Sequence, residues 1–180
     1  MIDLRNKGLP TTIEVGGLFY AIKTDFREWI KFGEIIKNPF ELYDLAFLFE
    51  GNIPLLVDFR QALLDFYENK NATPNYTDTS SEKTLDYVLD GEYIVGSFMS
   101  AYGIDLTSVD MHWHLFKALF VSLPDTSKII QIMGMRAYRK SDESYEKVAL
   151  KNKQAWKLPS YTDSELEEIL KEIDDEFYNA

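Results

Sequence analysis

The sequence predicts a mainly α protein, a compact multi-helix bundle with a short N-terminal β-hairpin. Three observations carry this reading. Met111–Leu123 is apolar at Met111, Trp113, Leu115, Phe116, Ala118, Leu119, Phe120, Val121 and Leu123, nearly the whole circumference of a helix. A helix of that kind needs neighbours on several sides, so it is expected at the centre of the bundle. Other apolar segments repeat at helical spacing, punctuated by capping residues, prolines and glycines. Finally, Gly16-Gly17 separates two short β-prone runs.

Taken in order, Thr11–Val15 and Leu18–Lys23 flank the glycine pair, which supplies the positive φ angles of a tight turn. A lone hairpin is marginal in water, so this one is expected to lie on helices or to pair with a partner strand. Thr24 and Asp25 suit a helix start, and Phe26, Trp29, Ile30 and Gly33 share one face of the helix that follows. Lys37-Asn38-Pro39 breaks it. Phe40–Phe49 predicts a second helix, ended by Glu50-Gly51-Asn52. Pro54 is suited to open a third, with Leu55, Phe59, Ala62, Leu63 and Phe66 in phase through Tyr67. Asn69–Ser81 is polar, small and turn-forming, and reads as a linker.

Glu92–Ala101 predicts a helix in which Gly96 permits close approach by a neighbour, and Gly103 stands where a left-handed residue ends it. The short Ile104–Leu106 connection makes this helix and the central one antiparallel neighbours. Thr107-Ser-Val-Asp110 reads as the start signal of the central helix and Leu123-Pro124 as its stop. Ser127–Met135 and Ser144–Trp156 predict two more helices. Thr162-Asp-Ser-Glu165 is a capping box for a last one. Its stripe Leu166, Ile169, Leu170, Ile173 and Phe177 backs onto an acidic face. The organisation read from these signals is a hairpin plus helices (1–75), a central helical unit (82–160) and an acidic amphipathic C-terminal helix (161–180).

Composition narrows the function classes. Cysteine is absent, which excludes disulfide scaffolds, thiol catalysis and cysteine-ligated zinc. The N-terminus has no apolar core of a signal peptide, and no apolar run reaches the roughly 20 residues of a membrane helix. No membrane association is expected. A net charge of −11 disfavours nucleic-acid partners, because it repels a phosphate backbone. The most basic stretch, Arg136–Lys157, reads as a solvated helix face beside an acidic neighbour.

Chemistry-bearing motifs are few. Asp110-x-His112-x-His114 holds the only histidines, and residues two apart on a helix point in nearly opposite directions. Neither a zinc site nor a cofactor site is expected there, and a hydrogen-bonding core role is. No Gly-x-Ser-x-Gly and no phosphate loop occur, so no catalytic residue is assigned and the chain reads as no enzyme. Asp86, Asp90, Asp105, His112, Trp113 and Arg136 are expected to form a structural cluster, with Arg136 as ion-pair partner to one of the carboxylates.

The run Asp86-Tyr87…Asp90…Tyr93-Ile94…Phe98…Tyr102-Gly-Ile-Asp-Leu106…His112-Trp113…Phe116-Lys-Ala-Leu119…Leu123-Pro124…Ile132…Arg136 resembles the gene product fifteen family of tailed phages and prophages of Gram-positive bacteria. The resemblance covers the hairpin to about Trp156 and is strongest from Asp86 to Arg136; His114 and the acidic last helix are not part of it. It implies a tail-module protein acting in the host bacterial cytoplasm, similar to the tail assembly chaperones of long-tailed siphophages. Its implied partners are the phage tape measure protein and the major tail protein, and a homo-oligomer stays open. By pattern, the contact residues are Phe19 and Tyr20 on the hairpin and Leu166, Ile169, Leu170, Ile173 and Phe177 on the last helix. The alternatives are a structural tail or head–tail joining component of the virion and a small metal-dependent enzyme using His112.

Overall fold

Gly16 and Gly17 take φ of 57° and 81°, the pair of left-handed conformations that a two-residue hairpin turn requires. They join strand β1 (Thr12–Val15) to strand β2 (Leu18–Ala21), with Ile13 opposite Tyr20 and Glu14 opposite Phe19. The Ile22 N–H donates to the Thr11 carbonyl at 3.0 Å. That bond sets the parity of the ladder, so Phe19 and Ala21 turn their backbone groups away from β1. Ile13 and Val15 are buried while Thr12 and Glu14 face solvent.

The computed structural model describes residues 5, 7–37, 42–54, 57–68, 83–139 and 146–159. Its contacts form two units, one of residues 1–81 with 87–131 and the other of 82–86 with 132–180. Helix α1 (Phe26–Ile35) starts at Asp25, whose side chain accepts the Arg27 N–H, and it buries Phe26, Trp29, Phe32 and Gly33. Leu42–Leu48 is a 3₁₀ helix where the sequence predicts an α-helix over Phe40–Phe49. Its buried residues, Leu45 and Leu48, are three apart, the spacing that lines up in a 3₁₀ helix. Helix α2 (Arg60–Glu68) starts later than the Pro54 opening that the sequence predicts. The Asp58 carboxylate accepts the Arg60 N–H at 2.9 Å and so defines the first turn.

Helix α3 (Gly91–Tyr102) ends at Gly103, which takes φ 67° as expected. Helices α4 (Trp113–Val121), α5 (Lys128–Ala137) and α6 (Glu146–Ala155) complete the described elements. The chain is therefore mainly helical with an N-terminal antiparallel hairpin. The predicted linker and the predicted last helix lie outside the described residues, apart from the linker's neighbours.

Two expectations for the central helix need correction. The residue that caps α4 is His112, whose Nδ1 accepts the His114 N–H at 3.0 Å, while the Asp110 carboxylate stands in solvent. Nor is α4 covered on every side: Leu115 is 41% and Val121 73% exposed. With Ala118 they form one open stripe, because Trp113, Phe116 and Phe120 concentrate the bulk on the other face. Gly96 is likewise not a close-approach site, since an added Cβ there would meet nothing within 4 Å. Close approach occurs at Gly33, where an added Cβ would overlap Tyr67 Oη and lie 3.1 Å from Cζ.

The first unit is packed around aromatic rings. Trp29 lies 4.4 Å from Phe66, Tyr67 stacks on Trp113 at 5.1 Å, and Phe116 stacks on Phe26 at 4.6 Å and on Phe98 at 5.3 Å. One ring from each of α1, α3 and α4 thus shares a single stack, and Trp29, Phe32, Phe98, Trp113 and Phe116 are almost fully buried. Truncating such a ring to Ala costs about 3–5 kcal/mol. Gly33→Ala is expected to destabilise the protein by about 1–3 kcal/mol through overpacking. Urea denaturation should show a smaller loss for the same change in a Tyr67→Phe background.

Candidate interaction surface

A nine-residue helix such as α2 leaves its last carbonyls without intrahelical donors. The first turns of α4 supply them. His114 Nε2 donates to the Phe66 carbonyl at 2.8 Å, Trp113 Nε1 to the Tyr67 carbonyl at 3.0 Å, and Lys117 Nζ to the Tyr67 and Glu68 carbonyls at 2.8 and 3.2 Å. Lys117 thereby places a cation at the negative end of the α2 dipole. It also sits 5.7 Å from the Tyr67 ring centre and 5.4 Å from that of Trp113. Burial pushes the Lys117 amine down and the Tyr67 phenol up from their ordinary values.

A second junction ties α1 to the segment before α4. The Phe26 N–H donates to the Met111 carbonyl at 2.9 Å and the Trp113 N–H to the Thr24 carbonyl at 2.7 Å. Asp25 accepts the Met111 N–H at 3.1 Å besides capping its own helix. Arg27 closes the junction by donating to Asp25 and to the carbonyls of Leu106 and Val109, at 2.7 and 3.1 Å. Sequence reasoning found Asp25 as a helix start but missed its bond to Met111, and it missed Arg27 and Lys117 as organising residues. Asp25-x-Arg27 at a helix start was the available signal.

The protonation states of the histidines follow from their partners. His112 Nδ1 accepts an amide, so Nε2 carries the proton and donates to the Pro10 carbonyl at 2.9 Å. His114 likewise holds its proton on Nε2 for Phe66, which leaves Nδ1 buried with no partner among the described residues. A second proton there would have no acceptor. Burial therefore pushes His114 down from its ordinary 6.5 to about 4, and His112 shifts in the same direction.

The other residues of the expected cluster are placed as follows. Trp113 and His112 adjoin at the α4 start. Asp90 is buried at the N-cap position of α3, where its side chain makes no capping bond. Asp105 accepts the Thr107 hydroxyl and N–H at 2.6 and 2.9 Å, which hold its carboxyl below the usual range. In the second unit, Asp86 accepts from Lys83 at 2.6 Å. There too, buried Arg136 donates to the Thr84 and Trp156 carbonyls at 3.0 and 2.6 Å. Among the described residues, no three His, Asp or Glu side chains stand where they would hold a metal.

The hairpin presents an open edge. The Glu50 N–H takes the Ala21 carbonyl at 2.9 Å, and Lys23 N–H takes the Leu48 carbonyl at 2.8 Å. The chain then turns away at Gly51, with φ 89°. This leaves a cleft of about 760 Å³ between β2 and Glu50–Ile53. The Phe19 N–H and C=O face that edge, and among the described residues no hydrogen bond reaches them. Leu18 is 62% and Phe19 72% exposed, whereas Tyr20 is half-buried against Phe49. The five expected contact residues of the last helix lie outside the described residues.

Capped helices, a ring stack and an open strand edge define a helical module with an exposed hairpin. A family model described as bacteriophage Gp15 protein matches residues 54–175, which is more than half of the chain. The chain belongs to this family, a tail-module family of bacteriophages. The match spans Asp86–Arg136, starts after the hairpin and continues past Trp156. No curated protein and no solved structure matches the chain.

A base whose folded-state pKa is depressed takes up its proton more readily when unfolded. Stability is thus complete above about pH 6.5 and falls as the pH drops towards 4, by up to about 3 kcal/mol for His114. Guanidinium denaturation at pH 7 and 4.5 should show that loss in the native chain and a smaller one in His114→Gln. At fixed pH 7, Lys117→Met is expected to cost about 1–2 kcal/mol by leaving the α2 carbonyls short of a charged donor.

Proposed function

We propose that this chain is a non-enzymatic tail assembly protein, a chaperone that binds the tape measure protein, and with it the major tail protein, in the host bacterial cytoplasm. The observation that carries this reading is the β2 edge. It combines unpaired backbone groups at Phe19 with exposed Leu18 and Phe19, beside an open cleft. An extended apolar segment of a partner adds to such an edge by main-chain hydrogen bonds, while its side chains take the cleft. Membership of a phage tail-module family supports the setting. The net charge of −11 supports the chaperone role, because it keeps a complex with an aggregation-prone partner in solution.

The test is co-expression with the tape measure and major tail proteins of the same genome, followed by size-exclusion chromatography with light scattering. A soluble complex of fixed stoichiometry with the tape measure protein is the expected result. Phe19→Asp should weaken that complex at least about tenfold with little change in the unfolding midpoint, since Phe19 is on the solvent face of the hairpin. Lack of association at both low and moderate salt would sink the reading. Detection of the chain in purified virions would move it to a structural component of the tail.

A further inference from the structure

Two carboxylates flank the open part of the β2 edge. The antiparallel bridge between Ile22 and Phe49 sets Glu50 opposite Ala21. Ile22 and Phe49 are buried, so Ala21 and Glu50 lie on the solvent face of the ladder, where both are exposed. Glu14, opposite Phe19 on β1, shares that face and is exposed too. Among the described residues, neither carboxylate has an ion pair or a side-chain hydrogen bond. Lys23 stands beyond the closed end of the edge, where its N–H is bonded to Leu48. The other face of β2 carries Leu18, exposed, and Tyr20, half-buried.

Leu48–Glu50 fills the track beside β2 only as far as Ala21, and Gly51 then leaves it. A segment that continues this track antiparallel to β2 sets one residue opposite Phe19, where it takes both the Phe19 N–H and C=O. Alternation puts that residue's side chain on the solvent face, beside the Phe19 ring. Glu50 is then two positions away on the same track, about 7 Å, and Glu14 stands on the far side of Phe19. The residues before and after it point to the opposite face, over Leu18 and Tyr20. We propose that the edge selects an extended segment of apolar–basic–apolar pattern, with a Lys or Arg opposite Phe19. The stem of the cation lies along the Phe19 ring and its head reaches towards Glu50 and Glu14. The flanking apolar residues cover Leu18 and Tyr20. The four residues of β2 span only about 13 Å, so main-chain bonds are few and the order of side chains decides the choice of partner. This preference rests on the edge of the chaperone reading and adds the chemistry of the segment that the edge takes.

Fluorescence anisotropy of short, end-blocked peptides on the full chain tests it. The peptides share a Thr-rich frame and carry Val-Lys-Val, Val-Gln-Val or Val-Glu-Val at the centre. The Lys peptide is expected to bind at least about threefold tighter than the Gln peptide, with the Glu peptide weaker still. Methylating the backbone nitrogen of its Lys should cost at least about fivefold, since that nitrogen donates to the Phe19 carbonyl. In a Glu14→Lys, Glu50→Lys double variant the order should invert. Both positions are exposed, and an unchanged unfolding midpoint checks that the variant folds. The variant stays acidic overall, so general attraction to the chain would keep the native order. An order that survives the double variant therefore overturns the proposal, as does a Lys peptide no tighter than the Gln peptide; either result leaves the edge as a docking strand. Absence of binding by all three peptides overturns the proposal and the edge together.

Discussion

The first unit depends on how the end of α2 is satisfied. Buried carbonyls without donors each cost about 1–3 kcal/mol. The buried carbonyl of Phe66, the part-buried one of Tyr67 and the exposed one of Glu68 are met by His114, Trp113 and Lys117, residues nearly fifty positions further along the chain. Among the described residues these donors come from α4, so the end of α2 and the start of α4 support each other. The same residues also pack. Trp113 stacks on Tyr67, and the His114 ring lies 4.3 Å from that of Phe66. Polar and apolar terms therefore favour one register of α4 against α2, because sliding one helix by a turn would break both sets at once.

The α1 junction fixes the remaining freedom. Asp25 and His112 bridge in antiparallel fashion, with backbone bonds on both sides of the pair. Asp25 serves at once as cap for α1 and acceptor for Met111, and Arg27 gathers the carbonyls of the loop that leads to α4. The start of α4 is thus tied to α1 by main chain and to α2 by side chains. With those ends placed, the ring of Phe116 has little choice but to stack on Phe26 and Phe98.

Local signals were legible and distant ones were not. Gly16-Gly17, Asp25 and Gly103 announce a turn, a start and a stop because each acts on its own neighbours, and all three stand where the sequence places them. The start of α4 shows the opposite case. Thr107–Asp110 has the pattern of a capping box, yet Asp105 engages Thr107 in a turn and His112 takes over the cap. Helical spacing predicts that the two histidines point apart, yet His112 stands before the helix as its extended cap and the two ring centres lie 5.1 Å from each other; their bonds to the carbonyls of Pro10 and Phe66 involve partners that no spacing rule reaches. The all-round apolarity of Met111–Leu123 likewise overstated burial: the mass of the side chains, not their number, decided which face of α4 turned inward.

This wiring bears on the binding proposed above for the hairpin edge. β1 packs on α2, and α2 is completed by α4, so the strand that offers Phe19 is carried on a frame whose stability lies elsewhere. A change at Trp113 or His114 would loosen the frame and weaken binding at the edge without touching a partner. A change at Phe19, exposed and outside every cap, would act on the partner alone. Loss of binding is therefore evidence for the edge only when the unfolding midpoint stays put. By the same logic, acid acts on the frame through His114, because the titrating ring belongs to it and not to β2.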